Sequence, residues 1–505
     1  MNRRSLLRST ALLTSANLLL EIIGLLFQIY LSRALGAEGI GKLHLIFAAG
    51  GFALTVGISG FRVAAMNLTA AKCGSGDLPG MKKTIVACLV CSAVLSSCVA
   101  VLFVFLAPGI SGRWLHDTQA VPALRVLGFG LPISCLTAVL GGYFTARGKI
   151  KPLICVEFAV QIISVLLTWL CLQFRAELHL DNIYLALVGS STVASFLGLI
   201  PLLLLLWHDL RGIPSGKSAS VAKQLAALCV PLALGDYLRA GLRTLEQFLI
   251  PMGLRQASGS AGAAMADYGT IGGMVFPVLM FPSVLFQSLS DLLVSELSRC
   301  KAQGQQFKIR RIVGGCLRTG LVFSAFIAGL MELLAPALGQ LLYGSTTAGH
   351  YLRIFAPMVL VLYMDALTDG MLKGLGEQVA GVRYNTITAA MDVILLLFLL
   401  PKLGIYGYLI SFSVTHVFNF YLSIRRLFWV TGYRTNLHHS VTTLLVLLIS
   451  GLLCHRLSAP APQCLSVVCC GLIFSGIFLL FSLPTGVLRP GDLRRFFPTK
   501  TQHGA

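Results

Sequence analysis

The sequence predicts an all-α polytopic membrane protein of about 14 transmembrane helices, built as two six-helix lobes plus two C-terminal helices. Three observations predict this class. Of the 505 residues, 56% are hydrophobic and 11% charged, where soluble domains carry roughly 25% charged residues. Apolar runs of about 20 residues recur without alternation, which requires helices rather than barrel strands. Lys and Arg gather in short loops at alternate helix ends, as the positive-inside rule demands.

Taken in order, the apolar runs place helices at about 9–31, 43–66, 84–107, 122–144, 153–174, 182–206 and 226–251. Seven more follow at about 268–291, 315–342, 354–374, 384–401, 404–428, 440–458 and 464–483. The start MNRRSLLRST resembles a signal peptide, but its apolar run holds Asn17 and Glu21, lacks a clear small-residue cleavage site and continues to Tyr30. It is therefore read as an uncleaved first helix. An even helix count puts both termini on one side, and the basic loops put that side in the cytoplasm. The eighth helix holds Gly272, Gly273, Pro277 and Pro282, where lost backbone bonds favour kinks. Glu157 and Gln161 in the fifth, Asp365 and Asp369 in the tenth and Asp392 in the eleventh read as polar glue between helices.

The chain also repeats itself. LRVLG at 124–128 corresponds to LRIFA at 352–356, and GYFTARG at 142–148 to GMLKGLG at 370–376, both at an offset of 228 residues. Near the start of each half, QIYLSRALG at 28–36 faces QFLIPMGLR at 247–255. An even number of helices separates the copies, so the halves form a parallel repeat, a transporter architecture. The divisions expected are 1–215 for the N-terminal lobe, 216–435 for the C-terminal lobe and 436–505 for two helices and a cytoplasmic tail.

The net charge of +20 sits in short loops and not in a soluble module, so it fits anionic lipid head groups better than nucleic acid. Cys88 and Cys91 form a CxxC inside an apolar helix without His or acid partners, which reads as core rather than metal or redox chemistry. No GxxxxGK[ST] loop, Ser/His/Asp constellation or metal-ligand cluster stands out. The chain does not read as an enzyme, and no cofactor or metal is expected.

The chemistry lies in the polar stripes of two helices. In the seventh, Asp236, Arg239, Arg243 and Glu246 fall within about 80° of one another on the wheel. Ionised side chains at bilayer depth cost roughly 2.5–3.5 kcal/mol each on insertion scales, so they face a bundle interior or a wet cavity. Two readings stand side by side: an ion-pair ladder that ties helices together, and a cationic site for an anionic substrate. In the first helix, Asn17, Glu21, Gly24 and Gln28 lie within about 60°. A two-lobed transporter would set these helices across a cavity, with Glu21 able to approach the arginines. Arg62 on the second helix and Gln287 and Asp291 on the eighth extend the expected lining, although Arg62 could equally snorkel to head groups.

LSRALGAEGIGKL (31–43), DYGTIGGMVFPVLMFPSVLFQSLSDLLVSEL (267–297), DGMLKGLGEQVAGVRYN (369–385) and YGYLISFSVTHVFNFYLSIRRL (406–427) resemble the stage V sporulation protein B group. That group belongs to the multidrug/oligosaccharidyl-lipid/polysaccharide (MOP) exporter superfamily. The resemblance covers most of residues 5–430, while the last two helices match only in hydropathy. One departure is Ser295, where related proteins usually have Pro before the residue seen here as Glu296. The resemblance implies an alternating-access flippase of the bacterial cytoplasmic membrane. Its cargo would be an undecaprenyl-diphosphate-linked sugar, either lipid II-like or a polysaccharide repeat unit, destined for cell wall or spore cortex. The implied partners are that lipid-linked substrate, membrane lipids and a coupling ion. Arginine matches a diphosphate with planar, paired donors. Arg239 and Arg243 are therefore expected to bind the head group, with Glu21, Asp236 and Glu246 tuning or releasing them. A cation-coupled multidrug antiporter is the first alternative, though it calls for an acid-dominated site. A non-transporting scaffold for a cell-wall synthase is the second.

Overall fold

A computed structural model describes residues 3–115, 117–174, 182–213, 221–433, 437–457, 463–482 and 484–485. The elements begin with α1 (Arg3–Ile58), α2 (Phe61–Gly74), α3 (Leu78–Ile110), α4 (Ala120–Ala146), α5 (Ile150–Gln173), α6 (Ile183–Leu210), α7 (Val221–Ser258) and α8 (Ala261–Thr270). They continue with α9 (Phe276–Met280), α10 (Val284–Ala302), α11 (Gln306–Tyr343), α12 (Thr346–Phe355) and α13 (Met358–Gly374). The last are α14 (Gln378–Leu403), α15 (Ile405–Thr431), α16 (Leu437–Leu457) and α17 (Gln463–Ser482). Among the described residues, nine helices are long and apolar enough to cross a membrane, or ten if α12 and α13, bent by 54°, form one span. The protein is a multi-pass, all-helical membrane protein.

Three of the expected spans are interrupted. The second, expected to run unbroken over 43–66, breaks at Ser59 and Gly60, which take φ of 44° and 77°. The eighth passes through a π turn at Ile271–Val275 and a 3-10 turn at Phe281–Ser283, at the predicted Gly and Pro positions. The tenth bends before Met358, at Pro357, which lacks a backbone N–H. Within α1 the backbone leaves helical geometry at Gly36, φ 71°, so two helices meet there at a kink between the first two expected spans. Ser295 introduces no break, since α10 runs on to Ala302.

The chain divides into two compact units, residues 1–20 with 42–249 and residues 21–41 with 250–505. In the first, α4 packs against α2, α3 and α6. Gly142 lets α2 approach, because a Cβ there would lie 2.4 Å from the Arg62 carbonyl oxygen. Tyr143, Phe144, Met81 and Ile85 form the buried core of these helices. At its polar end Asp209 accepts from Tyr143 at 3.1 Å and from Lys149. Asp77 caps α3, accepting from the Gly80 amide at 2.8 Å. The Lys72 ammonium, then that amide, hold the Asp77 carboxyl below the usual carboxylate range.

In the second unit α13 packs against α10, α11 and α15, while α16 and α17 pack on α11. Phe474 and Phe478 of α17 join Val322 and Val446 in a separate cluster. Buried Asp392 of α14 accepts from Ser411 at 2.6 Å and Thr415 at 3.3 Å on α15, so it glues helices within this unit. The interrupted eighth span exposes carbonyls that lose their helical partners, and side chains supply replacements. Gln28 donates to Gly273 at 3.0 Å, Tyr343 to Met274 at 3.0 Å and Tyr363 to Leu279 at 2.6 Å.

Arg33, inside the SRALG string, donates to the Leu341 and Leu342 carbonyls at 2.5 and 2.7 Å. It thus satisfies last-turn acceptors of α11 and opposes the negative end of its dipole. Arg33→Ala is expected to cost about 1–3 kcal/mol, read as a lower midpoint of thermal unfolding in detergent, with Arg33→Lys recovering part of it.

The internal repeat is carried by element boundaries as well as by residues. The starts of α3 and α11, the ends of α4 and α13, and the starts of α5 and α14 all stand 228 residues apart. So do the left-handed glycines in the connections, Gly76 with Gly304 and Gly148 with Gly376.

Candidate functional site

In the first unit, α7 carries the charged stripe. Arg239 donates through Nη2 to Asp236 Oδ1 and through Nε to the Gly235 carbonyl at 3.4 Å. Both side chains of this ion pair remain 40% exposed. Arg243, one turn further on, is exposed. Among the described residues its guanidinium makes no hydrogen bond or ion pair, and Arg239 Nη1 is likewise unspent. A pair of planar cations with unused donors, one held in orientation by a carboxylate, is suited to a multivalent oxyanion such as a diphosphate. Glu246, half-buried on the same helix, makes interactions of its own.

The remaining expected site residues are distributed as follows. Arg62 is exposed in the first turn of α2, beyond the break, and interacts electrostatically with Glu157 of α5. In the second unit, Glu21 is exposed on α1, Gln28 is half-buried and bonded to Gly273, and Gln287 is exposed on α10. Asn17 of α1 and Asp291 of α10 have side chains outside the described part. Of the ten, Asp236 and Arg239 are joined directly.

Two residues beside the stripe were not expected. Tyr237 bonds with Ser59 and donates to the Val56 carbonyl at 3.2 Å. It therefore serves an acceptor left by the α1–α2 break. The signal available in the sequence was Ser59-Gly60, a turn pair inside an apolar run. Tyr237 also closes one end of an apolar groove of about 400 Å³ between α3, α7 and that break.

Residues 6–238 match the family model for polysaccharide biosynthesis proteins. Over 427 residues the chain is 25% identical to stage V sporulation protein B of Bacillus subtilis (strain 168), spanning 81% of this chain and 80% of that one. Sporulation protein YkvU of the same strain is 23% identical over 260 residues, half of this chain and 58% of that one. Among solved structures, the lipid II flippase MurJ in an inward closed conformation superposes with a TM-score of 0.72 at 14% identity, over 93% of this chain and 98% of that one. An inward-facing multidrug resistance MATE family transporter of the MOP superfamily gives 0.62 at 14% identity, over 82% and 96%. A MOP superfamily transporter from Pyrococcus furiosus, described by the reverse polarity of its binding pocket, gives 0.57 at 15% identity, over 84% and 96%. The fold is thus that of the MOP transporters. In sequence the chain is similar to the two sporulation proteins and, over residues 6–238, to polysaccharide biosynthesis proteins.

Proposed function

We propose that this protein is an alternating-access flippase that moves an undecaprenyl-diphosphate-linked sugar, lipid II-like or a polysaccharide repeat unit, across the bacterial cytoplasmic membrane for cell-wall or spore-cortex synthesis. Both termini lie in the cytoplasm in this reading. The observation that carries it is the pair Arg239 and Arg243 on α7, with donors unspent beside the Asp236 carboxylate. In a low-dielectric setting such cations attract an anionic head group more strongly than in water. Asp236 would hold Arg239 in place until the diphosphate exchanges for it. Glu21, Glu246, Arg62, Asn17, Gln28, Gln287 and Asp291 are proposed to support the head group.

A coupling ion belongs to the same proposal. Asp365 on α13 accepts from Asn419 at 2.9 Å through Oδ2, while among the described residues its buried Oδ1 has no partner. It is the carboxylate we assign to that ion. The likeness to a MATE transporter keeps a multidrug antiporter in view, but cationic cargo would be repelled by the arginine pair.

The test is leaflet translocation in proteoliposomes, offering lipid II, an undecaprenyl-diphosphate-linked polysaccharide unit and a cationic drug to the same preparation. Transport of a diphosphate-linked lipid alone is expected. Movement of the drug alone would establish the antiporter, and movement of nothing would favour the scaffold.

A further inference from the structure

A flippase that keeps a charged head out of the bilayer must leave the chain in it, so the head-binding helix should offer a route between the two. α7 has such a route. Its N-terminal half walls the apolar groove together with Cys91 and Leu95 of α3 and Phe61 beyond the α1–α2 break. At about 400 Å³ the groove falls in the size range of ligand pockets, roughly 300–1,000 Å³. Among the described residues no charged one lines it, and its polar end is the Ser59–Tyr237 hydroxyl pair. It opens outward, since Val230 and Leu234 on its wall are 56% and 65% exposed. A sealed packing defect would bury them.

The groove and the cations occupy different faces of α7, yet the same level. Going round the helix from Tyr237, Leu234, Leu238, Gly235 and Arg239 follow at about 60°, 100°, 160° and 200°, within about 8 Å along the axis. Leu238 is 55% exposed, and nothing lies within 4 Å of where a Gly235 Cβ would be. An unobstructed apolar path therefore leads from the groove across Leu234 and Leu238, past bare Gly235, to Arg239.

We propose that this groove holds the head-proximal isoprenoid segment of the diphosphate-linked cargo, the lipid straddling α7 with its chain on one face and its diphosphate on Arg239 and Arg243. The assignment rests on the flippase reading above. The occupant is the cargo chain and not a bulk phospholipid, because only an amphiphile with a multiply anionic head joins the groove to the two arginines.

The experiment uses the full chain in phosphatidylglycerol-containing nanodiscs and undecaprenyl diphosphate carrying a photoreactive diazirine near its head. Adducts are expected on residues 230–238 of α7 and on Cys91 to Leu95 of α3. They should disappear with excess unlabelled undecaprenyl diphosphate but persist with added phosphatidylglycerol. Gly235→Leu, which has room to fold, is expected to weaken undecaprenyl diphosphate binding about tenfold by blocking chain burial, leaving a diphosphate with a single isoprene unit unaffected. Adducts elsewhere, with binding still dependent on Arg239 and Arg243, would overturn the groove and leave the cargo reading standing. Equal competition by phosphatidylglycerol would make it a general lipid cleft and also overturn the proposal. Loss of arginine-dependent binding altogether would remove both.

Discussion

Replacing Arg239 and Arg243 together with alanine is expected to abolish leaflet translocation of the diphosphate-linked lipid while the protein stays folded. A hydrogen bond to a charged partner contributes roughly 1.5–3 kcal/mol. Losing both guanidinium groups therefore lowers head-group affinity by on the order of 10² to 10⁴. Folding is spared because both side chains are well exposed, Arg239 at 40%, and exposed pairs contribute little. The ladder reading is separated by a second variant. Because Arg239 pairs with Asp236, Asp236→Asn combined with Arg239→Gln removes both charges and leaves neither unpaired. Recovery of transport in that pair would make the stripe a structural tie. Continued failure, with an unchanged melting profile, is the expected result and marks a substrate site.

Gly269→Val is expected to prevent the second unit from assembling. A Cβ at Gly269 would lie 1.9 Å from the Ala37 carbonyl oxygen and 2.5 Å from the Gly41 nitrogen, and one at Gly41 would lie 2.3 Å from the Met265 carbonyl oxygen. Here α1 and α8 touch backbone to backbone, as small residues permit in membranes. The obstructing atoms cannot rotate away as a side chain would. The cost should meet or exceed about 3 kcal/mol, the upper part of the range for overpacking. Size-exclusion profiles and thermal unfolding in detergent provide the readout, and Gly235→Ala is the control. The glycine controls separate space from propensity: Gly235 meets nothing within 4 Å, so its alanine variant should gain about 0.5–1 kcal/mol in helix stability. A Gly269→Val protein as stable as wild type would refute the close approach.

Much of this architecture was legible because hydropathy and repeats are local signals. The apolar runs gave the helical class, and Pro277 and Pro282 marked an interrupted span, realised as π and 3-10 turns. The offset of LRVLG and LRIFA reappears in the starts of α3 and α11. The break at Ser59–Gly60 escaped notice because a two-residue left-handed turn barely alters hydropathy averaged over a whole span. The separation of the first two expected spans was legible, because the polar residues around Gly36 resemble a loop and the backbone leaves helical geometry there. At the site, the wheel brought Asp236 and Arg239 to one face, and they are paired. It could not foresee that Gln28 would be engaged by Gly273, 245 residues away, since that carbonyl becomes available only through a π turn.

That last contact bears on how the protein is made. Gln28 and Ser32 both reach the Gly273 carbonyl, and Gly41 nestles against Met265. At about 5–20 residues per second, translation across the intervening 245 residues takes roughly 12–50 s. For that interval the middle of α1 sits in the membrane before the helix it is shaped to grip has been synthesised. The insertion machinery must therefore shelter a nascent segment with a polar amide and a bare glycine surface, and slowing release at α8 would give the first helix time to find its seat.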